Sequence, residues 1–386
     1  MRFRHASGET IHLGYCTNVH PAEDLEGIVA QLDTYAVPVR EKLGSDVLGL
    51  GLWLAAPVAA GLAADPAAVR RLRVELQTRG LEVVTLNGFP YEAFHAPVVK
   101  QAVYHPDWTT PERLSYTLNL AEVLVELLAA DTARGSVSTL PLAWRDPWDA
   151  DRAGRCARAL DDLADGLARL ERRTGRTVRV GFEPEPGCIV ENTDQAVAQL
   201  SDMDTERLGI CLDLAHLACA WEDPQAAIEA LDAAGLPIVK VQVSAALGST
   251  APAADAEVLR GYVEPRFLHQ TRGRDGFAAD DLDEALAGSG TGEPWRVHYH
   301  VPLHAEPVPP LHSTVDVLRE GLRAVVGGAR PRCDHLDVET YTWGVLPPER
   351  RPQTPAQLAD GIAAELAFAR AELVGLGLHE SVEVAG

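Results

Sequence analysis

Short apolar runs that end in polar groups recur along the chain, and Ala- and Leu-rich, charge-bearing stretches of helical spacing separate most of them. The runs are Ile11–Val19, Val47–Leu54, Leu81–Phe89, Ser136–Leu142, Val178–Glu183, Leu208–Leu212, Ile238–Val243, Trp295–Val301 and His335–Thr340. Repeated strand-then-helix units build a parallel sheet with helical crossovers. No G-x-G-x-x-G or G-x-x-x-x-G-K-[ST] follows the first run, which disfavours a doubly wound nucleotide-binding sheet. The pattern therefore predicts an α/β fold of the (β/α)8 TIM-barrel type. Nine runs are one more than such a barrel needs, and the interval from Val243 to His335 exceeds a single crossover. The expected organisation is a single domain over 1–386, with an inserted segment at about 245–331 between the seventh and last barrel strands. Pro355–Leu376 has helical spacing and should close the barrel as its last helix.

Composition changes this picture in few places. The net charge of −22, with no basic run, disfavours nucleic acid and anionic lipid as partners. Val47–Ala64 carries no charge, but Gly49, Gly51, Pro57 and Gly61 interrupt it, so a strand, a turn and a helix start fit better than membrane insertion. Met1-Arg-Phe-Arg-His5 is followed by polar residues and not by an apolar secretory core. The six cysteines (Cys16, Cys156, Cys188, Cys211, Cys219 and Cys333) form no C-x-x-C and no cluster, so neither a disulfide framework nor a zinc knuckle is expected. Both observations favour the cytoplasm.

Chemistry-bearing residues concentrate where strands end, which in a barrel is the rim that holds the active site. In Phe182-Glu-Pro-Glu-Pro-Gly187, Glu183 lies at a strand end and Glu185 just beyond, between prolines that restrict the backbone. In Leu208-Gly-Ile-Cys-Leu-Asp213, an aspartate after five apolar residues would be costly to bury without a cation or a basic partner, and His216 follows three positions later. Glu339 ends another strand, with Tyr341 and Trp343 on alternate positions beyond it, an arrangement suited to stacking on a sugar-like ring. Trp295-Arg-Val-His-Tyr-His300 places His298 and His300 on one face of a strand; His300 and His304 are the imidazoles expected nearer the mouth, with Gln242 competing as a weaker ligand. His20, Asn87, His216 and Lys100 are candidates for orienting hydroxyls or a phosphate.

The succession Glu183, Asp213-x-x-His216 and Glu339 resembles the xylose-isomerase-like barrels of sugar isomerases and epimerases. In the ketose 3-epimerase branch, four strand ends give Glu, Asp, His and Glu to one divalent metal. The resemblance implies that Glu183, Asp213 and Glu339 are ligands and that His216 touches substrate. Gln242 stands where that branch has its histidine, so either Gln242 or His300 completes the set. A closer resemblance is to EboE-type metabolite-traffic proteins, carried by Tyr15-Cys-Thr-Asn-Val-His-Pro21, Leu86-Asn-Gly-Phe-Pro-Tyr91, Val103-Tyr-His-Pro-Asp-Trp108, Val297-His-Tyr-His-Val-Pro-Leu303 and Val338-Glu-Thr-Tyr-Thr-Trp343. It implies a pathway shared with a UbiA-type prenyltransferase and a sugar-phosphate-cyclase-like protein.

The expected function is isomerisation or epimerisation of a sugar, sugar phosphate or cyclitol through an enediolate. One divalent ion (Mn, Mg, Co or Zn) would assist, and Glu183 and Glu339 would act as the acid/base pair. Glu185, His304 and Trp343 join the substrate-binding set. The alternatives are a carrier that keeps the pocket without turnover and a metal-dependent hydrolase of small phosphoesters.

Overall fold

The computed structural model describes residues 1–132, 134–288 and 292–381. Eight parallel strands close into a barrel: β1 (Thr10–Cys16), β2 (Leu48–Trp53), β3 (Leu81–Asn87), β4 (Arg134–Thr139), β5 (Thr177–Phe182), β6 (Leu208–Asp213), β7 (Ile238–Val243) and β8 (His335–Val338). Closure is made by β8 against β1, in register from His335 opposite His12 to Val338 opposite Tyr15. These strands are almost wholly buried, as expected of a sheet covered by helices on one face and filled by its own side chains on the other. The apolar segment that follows Asp46 divides into β2 and the helix Ala56–Ala64. Among the described residues, no helix is long and apolar enough to cross a membrane. All six cysteines are free and buried.

The segment between β7 and β8 forms a second sheet of five short strands. Their order is Ala278–Ala279, Thr271–Gly273, Trp295–His300, Ala246–Ser249 and His312–Ser313, and every pairing is antiparallel. The extra apolar run, Trp295–Val301, is therefore the central strand of this sheet and not a barrel stave. It approaches the C-terminal rim, where His300 Nδ1 donates to the Glu339 carbonyl at 2.8 Å. The last helix, Pro355–Gly375, buries the carboxylate of Glu365 beneath this junction. Glu365 accepts from the Leu303 amide at 3.1 Å, Thr340 Oγ1 at 2.6 Å and Trp343 Nε1 at 3.1 Å. One side chain thus fastens the end of the inserted sheet and the loop after β8 to the same helix.

The barrel interior is more polar than its apolar strand runs suggest. Lys240 Nζ lies 3.1 Å from Asp337 Oδ2, and neither side chain has any exposure. Asp337 fits because its neighbour across the barrel is Gly51, where a Cβ would sit 1.7 Å from Oδ2. Gln242 stands in strand register with both Asp337 and Asp213. Burial alone would lower the Lys240 ammonium, but Asp337 and the anions near it outweigh that and hold it above its ordinary range. A buried pair tolerates loss of both charges better than loss of one. Lys240→Met should therefore destabilise the protein by about 3–5 kcal/mol in chemical denaturation, and adding Asp337→Leu should recover most of it. Equal stability of the single and double variants would refute the pairing.

Candidate active site

Local geometry fixes each side chain at the rim. Asp213 ends β6 and caps the helix Leu214–Cys219: its Oδ1 accepts from the Ala215 and His216 amides at 2.8 and 2.9 Å and from Ser244 Oγ at 2.8 Å. That oxygen is saturated, while Oδ2 is buried without a hydrogen-bond partner and lies 3.9 Å from His300 Nε2. Glu183 follows β5 and has a buried, unpartnered Oε2. Glu339 Oε1 accepts from Asn18 Nδ2 at 2.8 Å and Asn87 Nδ2 at 2.9 Å. The short helical turn Thr17–Val19 after β1 carries Asn18, and Asn87 ends β3.

Proton placement on the imidazoles follows from their partners. His216 Nδ1 faces the Pro184 carbonyl at 2.8 Å and must donate to it. Gln270 Nε2 donates to the Pro186 carbonyl at 2.9 Å and to Tyr104 Oη at 2.7 Å, which turns Oε1 toward His298 Nδ1 at 2.7 Å. His298 Nδ1 must therefore donate as well. Both Nε2 atoms are left as acceptors and stand 2.9 Å apart, with Tyr341 Oη 3.5 Å from that of His298. Burial pushes His216 down to about 4 and also holds His298 well below the ordinary range. His300, with Nδ1 committed to the Glu339 carbonyl, likewise presents a buried, unpartnered Nε2. A carbonyl fixing one ring nitrogen while the other is free is the arrangement of a metal-ligating histidine.

The acidic side chains of the site are crowded and buried in the same way. Burial, then the charges of Glu339 and Asp213, raises Glu183 well above its ordinary range. Burial pushes Glu185 up to about 8, against the hydrogen bond it accepts from Tyr104 Oη at 2.5 Å, and Glu339 up to about 7. Three overlapping groups have ligand atoms within 4.8 Å of one another: His216, His298 and His300; Glu183, Asp213 and His216; and Asp213, His300 and Glu339. The donor set of carboxylate oxygen and imidazole nitrogen fits a divalent first-row ion.

The site opens into a cavity at the rim. Of the residues singled out in the sequence, Asn87, Lys100, Glu183, Glu185, His216, His300 and Glu339 line it. Gln242 does not: it is buried in the barrel with both amide atoms unpartnered. His20 stacks on Tyr35 with centroids 4.1 Å apart and lies outside the cavity wall. His304 and Trp343 are also outside it, stacked on each other 6.1 Å apart. The reason is Glu365, which draws the Leu303 amide and the Trp343 indole toward the last helix and away from the mouth. The expected order of preference among the inserted histidines is thus corrected: His298 and His300 face the cavity, while His304 is exposed. His298 was legible in the alternation of Trp295–His300. Asn18 was legible as a polar group where the first strand ends, whereas Tyr104 and Gln270 carried no comparable local signal.

Residues 41–279 match the family model of the xylose isomerase-like TIM barrel. Among solved structures the chain is similar to L-ribulose 3-epimerase, with 15% identity and a TM-score of 0.51 over 95% of this chain and 96% of that one. It is also similar to a xylose isomerase-like TIM barrel protein from Mycobacterium smegmatis in complex with magnesium (13%, 0.52, 94% and 98%). A putative sugar phosphate isomerase/epimerase from Anabaena variabilis ATCC 29413 gives 16%, 0.52, 96% and 100%. At these identities the likeness is one of fold. No curated protein matches the sequence. With the family model covering more than half of its length, the chain belongs to the xylose isomerase-like TIM barrel family.

Proposed function

We propose that this protein is a divalent-metal-dependent isomerase or epimerase of a polyhydroxylated metabolite of sugar or cyclitol type. The observation that carries the reading is the convergence of unprotonated imidazole nitrogens and unpartnered carboxylate oxygens beside two carboxyls held near neutrality. Structures of the same fold that bear epimerase names support it. Glu183, Asp213, His300 and Glu339 would hold the ion, with His216 and His298 in reach, and the ion supplies Lewis acidity toward a carbonyl and its neighbouring hydroxyl. Glu183, with a free oxygen, takes the acidified proton from the carbon beside the carbonyl. Glu339, steadied by Asn18 and Asn87, returns a proton to the enediolate from the other face. The fixed donors Asn18 and Asn87 keep its second oxygen available without reorganisation during the reaction. Tyr104 and Gln270 lock Glu185 and His298 in place at the cavity floor. The phrases shared with EboE-type proteins support a role in a metabolite-traffic pathway linked to a UbiA-type prenyltransferase and a sugar-phosphate-cyclase-like protein, and a cytoplasmic setting accompanies that reading.

Glu339→Gln, with its fold confirmed, should slow exchange of the substrate's α-proton with D2O, followed by NMR, by about 10²–10⁴-fold. Exchange at the wild-type rate would remove Glu339 from the acid/base pair. Elemental analysis after loading with Mn2+ or Zn2+ should give one ion per chain, and His298→Ala should weaken that affinity by about 10–100-fold. Two ions per chain would favour the phosphoester hydrolase, and a bound ketose recovered without any exchange would favour the carrier.

A further inference from the structure

The cavity has two unlike halves. Its floor is the cluster of carboxylates and imidazoles; its wall is Phe89, Phe94, Val99, Val103, Phe267 and Tyr341. The rings of Phe94, Phe267 and Tyr341 form a closed triangle, with centroids 5.1, 5.6 and 4.9 Å apart. Tyr341 also lies 4.8 Å from His300, so the apolar wall begins where the floor ends. The wall is preformed: it joins the loop after β3 to the inserted segment, and the Val99 and Lys100 amides both donate to the Arg266 carbonyl, at 2.7 and 2.8 Å. Lys100 takes a left-handed φ of 42° to do so. An aromatic wall held in place from both sides favours a ligand that covers its cavity face with apolar surface.

Charge selects in the same direction. Among the described residues, Lys100 is the one Lys or Arg that lines the cavity, and its ammonium is already committed to Asp281 and to the Glu264 carbonyl at 3.3 Å. Arg266 stacks over the Phe267 ring and does not line the cavity. At the floor, the acidic side chains Glu183, Glu185 and Glu339 line the cavity, and none of them offers a phosphate a cationic partner. A phosphate dianion entering the cavity therefore gives up hydration without a free cation to replace it.

We infer that the cavity takes an uncharged polyhydroxylated group bearing an apolar, ring-sized substituent, and that phosphorylated sugars are excluded. The polyol meets the floor and the substituent lies against the wall that Phe89, Phe94 and Phe267 present to the cavity. This rests on the isomerase reading only for the chemistry at the floor; the selection itself is a matter of binding.

The test is isothermal titration of the Mn2+-loaded full chain with three matched ketoses: D-fructose, its 6-phosphate and its 6-O-benzyl ether. The benzyl ether should bind at least about tenfold tighter than fructose, as burial of a ring against apolar walls predicts, and the phosphate no tighter than fructose. Asp281→Asn keeps the oxygen that accepts from the His269 and Leu282 amides but releases Lys100. It should raise the affinity for the phosphate by about tenfold. Tightest binding of the phosphate to the wild type, equal binding of all three ketoses, or binding of none overturns the inference, and no gain in Asp281→Asn removes Lys100 from it. Tight binding of the benzyl ether without α-proton exchange in D2O would leave this inference standing and refute the isomerase reading.

Discussion

The structure depends on one electrostatic constraint: among the described residues, lone pairs and carboxyls are packed together at the barrel mouth, and Lys100, the one Lys or Arg lining the cavity, is already paired with Asp281. Two imidazole nitrogens face each other at 2.9 Å, and oxygens of Glu183 and Asp213 are buried with no partner. Leaving such groups unsatisfied away from water is expensive, and mutual repulsion adds to the cost. The fold tolerates this because each group is held from behind. Asp213 spends one oxygen on a helix start and Ser244; His216 and His300 spend one nitrogen each on a carbonyl; Glu339 is held by two amides. What remains free all points into one small volume, which is how a protein preorganises a cation site.

Below this cluster, Lys240 and Asp337 extend the polar interior downward, and a glycine in β2 makes the room. Above it, the inserted antiparallel sheet does two jobs. It delivers His298 and His300 on alternate positions of a single strand, and through Gln270 it ties that strand to Tyr104 and Glu185 on the barrel side. The same segment supplies Phe267 to the aromatic wall. The inserted sheet therefore contributes both to the cluster of ligand atoms and to the shape of the space beside it. Glu365 accepts from the Leu303 amide just past this strand, so the sheet cannot drift from the rim without breaking that buried hydrogen bond.

Much of this arrangement was legible in the chain because it is local. Apolar runs of strand length separated by helical spacing determine a parallel barrel, since buried parallel strands have few other stable packings. Glu183, Asp213 and Glu339 follow those runs directly, and the rim is where such ends converge. His216 three residues after Asp213 is held by the covalent chain on the first turn of the same helix. Strand alternation likewise places His298 and His300 on one face.

Only the tertiary structure decided how distant segments meet. The register of the inserted sheet chose His298 over His304, because the chain after Pro302 turns toward Glu365, a residue more than sixty positions away in sequence. The same contact took Trp343 out of the cavity. The pairing of Asn18 with Glu339 spans 321 positions, and no local pattern encodes it. Lys100, a free cation by sequence, is a bound one in space because Asp281 reaches it from the insertion. Periodicity and covalent spacing thus determine which residues reach the rim, while long-range packing and charge pairing determine which of them remain free to bind.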